Sequence, residues 1–145
     1  MNGLLLDAGV LIGVAKESGE NRPLYHSLKN EARNLVTIEE VCRECHDVPV
    51  KVLEELRISI EPSQKPIGFE KHGHLITNQF QAGRGRADAA VICHAIARHL
   101  DILTVDWRMR DAYKHLLRRL DKLPDDSLPF WFIPQIEIVR RGMFH

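Results

Sequence analysis

The sequence predicts an α/β domain in which helices cover both faces of a central, mainly parallel sheet of four to five strands, a three-layer α/β/α sandwich. Three observations carry this expectation. Short apolar runs alternate with longer amphipathic segments, the pattern that builds parallel sheets buried on both faces. Two of those runs, "GLLLD" at residues 3 to 7 and "DILTVD" at 101 to 106, end on an aspartate, which is costly beside a buried strand unless its charge is used. Finally, 145 residues with 44% hydrophobic side chains are enough for one core, so residues 1–145 are read as a single domain.

Residues 3 to 7 form the first strand, and "AGVLIGVAKE" follows with Val10, Leu11 and Val14 at helical spacing. "RPLYHSLKNEAR" is a second helix with Pro23 near its first turn. "NLVT" is a brief strand, after which Thr37 is expected to cap the next helix with Glu40 as its capping-box partner. "PVKVLEEL" gives a further helical turn. "RISIE" alternates with period two and is stopped by "PSQKP". "IGFEKHGHLITNQF" is helical but weakened by Gly68 and Gly73, and "QAGRGR" is a glycine loop. "ADAAVICHAIARHL" has the clearest helical face, and it leads directly into "DILTV". "RMRDAYKHLLRRL" is an amphipathic helix, and strands are expected in "FWFI" and "IEIV".

Twenty basic and 20 acidic side chains leave no net field to draw the chain onto nucleic acid or an anionic membrane. The halves differ: residues 1 to 70 carry 8 basic and 12 acidic groups, residues 71 to 145 carry 12 and 8. No run approaches the roughly 18 apolar residues of a membrane span. Asp7 interrupts the N-terminal apolar stretch and no basic segment precedes it, so a signal peptide is not expected and a cytoplasmic protein is. Three cysteines do not suggest a disulfide framework. Cys42, Cys45 and His46 have the C-x-x-C-H spacing of haem attachment. Without an export signal or further zinc ligands, core packing of two cysteines on one helix face is the expectation.

Four acids need weighing together. Asp7 and Asp106 end strands, Asp88 opens the helix after the glycine loop, and Glu44 lies on the helix after the second strand. Taken singly, each has a plain structural reading as a helix cap, a dipole partner or a solvated residue. Parallel neighbouring strands would bring all four to one end of the sheet, where ligands gather in such folds. Clustered carboxylates repel one another unless a cation lies between them. Mg²⁺ or Mn²⁺ suits that role: both take oxygen ligands, and a pair of such ions can drive phosphodiester hydrolysis. None of the eight histidines joins a Ser or Cys in a triad context, and no G-x-x-x-x-G-K phosphate loop occurs.

The order "LLLDAGVLI", "VTIEEVCREC", "GRGRADAAVICHA" and "ILTVDWRMRDA" resembles the PIN-domain ribonucleases, and in size most of all the VapC toxins of toxin-antitoxin pairs. The resemblance covers nearly the whole chain. It implies a PIN-like fold and a metal-dependent endoribonuclease with Asp7, Glu44, Asp88 and Asp106 as metal ligands. Glu40, one turn before Glu44, stays open as the alternative second acid. It also implies that Thr104 orients a metal-binding carboxylate. Ala8 and Gly9 follow Asp7 where the family has a hydroxyl residue and then Asn or Ser. RNA as substrate, a cognate antitoxin protein and a homodimer are further implications.

Arg84, Arg86 and Arg108 lie near the acids in sequence and are candidate phosphate contacts. Trp107 is expected to seat its helix on the sheet, with stacking on an unpaired base as the alternative. His72 and His74 read as helix-surface histidines. The alternative to an enzyme is a PIN-like module that binds RNA or protein without cleaving.

Overall fold

The computed structural model describes residues 3–46, 48–80, 87–123 and 132–139. Its strands are β1 (Gly3–Leu6), β2 (Asn34–Ile38), β3 (Ser59–Glu61), β4 (Asp101–Thr104) and β5 (Ile136–Ile138). They form one all-parallel sheet in the order β3-β2-β1-β4-β5. Between them run α1 (Ala8–Lys16), α2 (Pro23–Lys29), α3 (Glu39–Glu44), α4 (Val50–Glu55), α5 (Phe69–Phe80), α6 (Asp88–Arg98) and α7 (Trp107–Asp121).

The chain winds outward from β1 to β2 to β3, then returns to lay β4 and β5 on the other side of β1. Right-handed crossovers put helices made during the outward run on one face and those of the return on the other. The packing agrees: α1 lies against α2 and α3, whereas α5 lies against α6 and α7. The sequence expectation of an α/β/α sandwich is therefore met, with a sheet that is wholly parallel. Among the described residues no helix is long and apolar enough to cross a membrane.

Covered on both faces, β1 buries every residue from Gly3 to Leu6, so its sequence is a continuous apolar run rather than an alternation. Leu4, Leu5 and Leu6 pack with Ile38, Ile102, Ile92 and Leu116 in the core, and each such side chain contributes about 2 kcal/mol of burial. β3 is an edge strand and exposes Ser59 and Ile60, hence its period-two pattern. Gly73, inside α5, makes room for the Phe69 ring, which would lie 2.4 Å from an added Cβ.

Several local expectations are corrected. Thr37 does not cap α3; it lies in β2, fully buried, and donates a hydrogen bond to the Leu6 carbonyl at 3.1 Å. The strand runs one residue further because Ile38 pairs with Glu61 of β3, and Ile38 occupies the N-cap position without a side-chain bond. Among the described residues, the expected C-terminal strand "IEIV" forms over Ile136–Ile138. Phe132 and Ile133 are not in a strand, and Phe130 and Trp131 lie outside the described residues. The second helix stops at Lys29, short of Arg33, whose guanidinium instead reaches Glu31 and Glu137 and ties the start of β2 to β5. His72 is buried in α5 rather than at its surface.

Two helices close on a left-handed residue other than glycine. After α4 the Arg57 backbone is left-handed (φ 55°), with Arg57 N–H donating to Glu54 O and Ile58 N–H to Leu53 O. After α6, His99 (φ 57°) does the same, with Leu100 N–H donating to Ala95 O. Both closures carry the 6→1 bond of the Schellman motif, which favours glycine at the left-handed position.

Candidate functional site

The sheet order reverses between β1 and β4, since β1 leads outward to β2 while β4 lies on its opposite side. Loops leaving the carboxyl ends of two such strands diverge to opposite faces and leave a crevice, the usual ligand position of open α/β sheets. Asp7 and Asp106 stand on its two sides. Asp7 follows β1 directly; its N–H donates to Leu103 O at 3.0 Å, extending the β1–β4 ladder by one bond. Both aspartates are N-caps. Asp7 Oδ1 accepts from Ala8 N–H at 2.8 Å, and Asp106 Oδ1 accepts from Arg108 N–H at 2.9 Å. The capping reading of these acids is thus correct as geometry, and it orients each carboxylate at the crevice.

One hydroxyl links the two. Thr104, the last residue of β4 and fully buried, donates from Oγ1 to Asp7 Oδ2 at 2.8 Å. The same oxygen accepts from Asp106 N–H at 3.1 Å. Asp7 is itself only 8% exposed, and a carboxylate so placed depends on such bonds. Gly9 has a packing reason: a Cβ there would lie 2.3 Å from Val105 Cγ2, so glycine is what lets α1 approach the β4–α7 connection.

The other two acids arrive from the helices. Glu44 is the last residue of α3, and its Oε1 accepts from Ala87 N–H at 2.6 Å, just before α6. Asp88 is the first residue of α6. A cavity of about 510 Å³ is lined by Asp7, Glu44, Asp88 and Asp106 together with Ala8, Gly9, Ile12, Val105, Trp107 and Arg108. Glu40 is not among its lining residues. All four acids favoured from the sequence thus line one cavity, Glu44 among them and Glu40 not.

Among the described lining residues, four carboxylates and one guanidinium face the cavity, a balance that favours a cation. Its donors are all hard oxygens, which suits Mg²⁺ or Mn²⁺ over softer ions. Among the described residues, however, no three His, Cys, Asp or Glu side chains are gathered closely enough to hold an ion on their own. Mg²⁺ does not need such a cage: it dehydrates reluctantly and is commonly held by one or two carboxylates plus water. The residues fit a hydrated hard cation, with water completing the coordination.

Trp107 overturns its packing expectation. It is 59% exposed and lines the cavity, while Met109, Tyr113, Leu116 and Leu120 form the buried stripe of α7. Arg108 also lines the cavity, with Nε 3.5 Å from Asp106 Oδ1. Arg84 and Arg86 lie outside the described residues. Cys45 is buried and its Sγ lies 3.7 Å from Ala8 O. Burial, with Cys42, Glu44 and Asp7 nearby, pushes its thiol up to about 11, as befits a cysteine packed in the core. His46, next to it, is exposed.

One cluster escaped the sequence reading. His94 is fully buried; its Nδ1 accepts from Gln64 N–H at 3.1 Å and its Nε2 lies 2.8 Å from Glu61 Oε1. Arg98 bonds both oxygens of Glu61 and, with His94, lowers the pKa of that carboxyl. The group fastens edge strand β3 to α6. Its only sequence signal is the i, i+4 spacing of His94 and Arg98. A scan against models of protein families finds no match to this chain, and a search of curated proteins finds none either.

Proposed function

We propose that the chain is a divalent-metal-dependent endoribonuclease of the PIN-domain type, similar to VapC toxins and acting in the cytoplasm. The observation that carries this reading is the convergence of four carboxylates, borne on four separate segments, on a single cavity at the carboxyl ends of parallel strands. Bound there, Mg²⁺ or Mn²⁺ supplies a water of lowered pKa and neutralises charge on the scissile phosphate. Asp7, Glu44, Asp88 and Asp106 would hold the ion, directly or through water. Thr104 fixes the Asp7 carboxylate and the Ala87 N–H fixes that of Glu44. Arg108 binds a phosphate oxygen of the RNA from the side of Asp106. A cognate antitoxin and a homodimer belong to the same proposal.

The test is cleavage of single-stranded RNA with and without Mn²⁺. Wild type cleaves only with the ion, and Asp7→Asn or Asp106→Asn lowers the rate roughly a hundredfold or more while circular dichroism stays native. Cleavage that survives both substitutions contradicts the reading. A second reading, an RNA-binding module without cleavage, draws on the lack of a ready-made three-ligand cage among the described residues. Binding of RNA with no cleavage in Mg²⁺ or Mn²⁺ would decide for it.

A further inference from the structure

We infer that Trp107 is a base-stacking platform that seats an unpaired nucleobase of an RNA strand whose backbone passes the carboxylate cavity. The inference rests on the proposal that this cavity takes RNA and adds the feature by which it would select unpaired strands.

Trp107 has no share in the stripe that holds α7 down; Met109, Tyr113, Leu116 and Leu120 supply that contact. The residue is 59% exposed yet lines the cavity, one residue after the Asp106 cap that faces the same space. A large apolar ring left in water beside a polar site is available for a flat ligand. The next residue, Arg108, has a side chain that is 60% exposed and lines the same cavity. An aromatic face next to a guanidinium is the pairing that holds single-stranded nucleic acid, the ring taking a base and the cation a phosphate. In a duplex both faces of a base are already stacked, so only an unpaired base can use the platform. Every base has a π-face, so the preference is for strandedness rather than sequence.

The test uses the full chain in Ca²⁺ buffer with three probes: a short single-stranded RNA, the same RNA annealed to its complement, and an abasic strand of equal length and charge. Trp107→Ala is expected to weaken binding of the single strand roughly tenfold, to leave the abasic strand unchanged and to abolish the preference over duplex. Trp107→Phe recovers most of the loss, because a ring remains. In a Trp131→Phe protein, which leaves Trp107 as the only tryptophan, the single strand quenches the fluorescence and the abasic strand does not. This readout stands even if the alanine variant folds poorly.

Equal weakening of both single strands, no weakening of either, or no binding of RNA by wild type overturns the inference. So does a Trp107→Ala defect confined to self-association, which would make the indole a protein contact. Cleavage in Mn²⁺ is scored separately on the same proteins. Trp107-dependent binding without cleavage removes the nuclease reading and keeps the platform; cleavage with Trp107-independent binding does the opposite.

Discussion

The Thr104 hydroxyl is the smallest unit on which the site depends, because it serves acids on both sides of the crevice. It donates to Asp7 Oδ2 and accepts from the N–H of Asp106. Thr104→Val keeps the shape and removes both bonds, so that a buried carboxylate and a backbone N–H each lose one hydrogen bond. A loss of about 2 kcal/mol in stability is expected, together with weaker Mn²⁺ binding, by thermal melts and calorimetric titration. Thr104→Ser should retain Mn²⁺ affinity, since it keeps the hydroxyl. Unchanged metal affinity in the valine variant would show that the hydroxyl does not organise the site. Asp7, Asp88 and Asp106 stand out in the sequence jointly rather than singly: each alone reads as a cap or dipole partner, and only their shared place at strand and helix ends points to one end of the sheet. Glu44 and Glu40 differ only in three dimensions, where Glu44 accepts from the Ala87 N–H and lines the cavity and Glu40 does not line it.

Among the elements, the strands and helices were largely readable, and their ends were not. The extent of β2 depends on pairing with β3, a contact made by residues more than twenty positions away. Local sequence could not reveal it, so Thr37 looked like a cap. Trp107 was misread for a related reason: α7 has a complete apolar stripe without it, which only the helix phase relative to the sheet discloses. The same holds for His94, whose partners Gln64 and Glu61 come from a distant loop and strand. Helix closure offers a test at this scale. Arg57 adopts a left-handed backbone after α4, and no hydrogen bond or ion pair of its side chain enters the closure, which is built from main-chain bonds to Glu54 and Leu53. Arg57→Gly should therefore raise stability by about 1 kcal/mol, read as a higher urea midpoint with an unchanged slope. An unchanged or lower midpoint contradicts this account of the turn.

For the whole molecule, the alternation of short apolar runs with amphipathic segments specified the layers, because strands buried on both faces must be apolar throughout. Strand order was not written locally. It follows from the reversal after β3, which places β4 beside β1 and so opens the crevice. That one topological step brings Asp7 and Glu44, from the acidic half of the chain, to Asp88 and Asp106, from the basic half. The most direct test of the central claim, that these four acids form one cation site, is anomalous diffraction from crystals soaked in Mn²⁺. The account predicts a peak in the cavity bounded by Asp7, Glu44, Asp88 and Asp106 that disappears in Asp7→Asn crystals treated alike. A cavity without a peak, or a peak that persists unchanged in the variant, would contradict it.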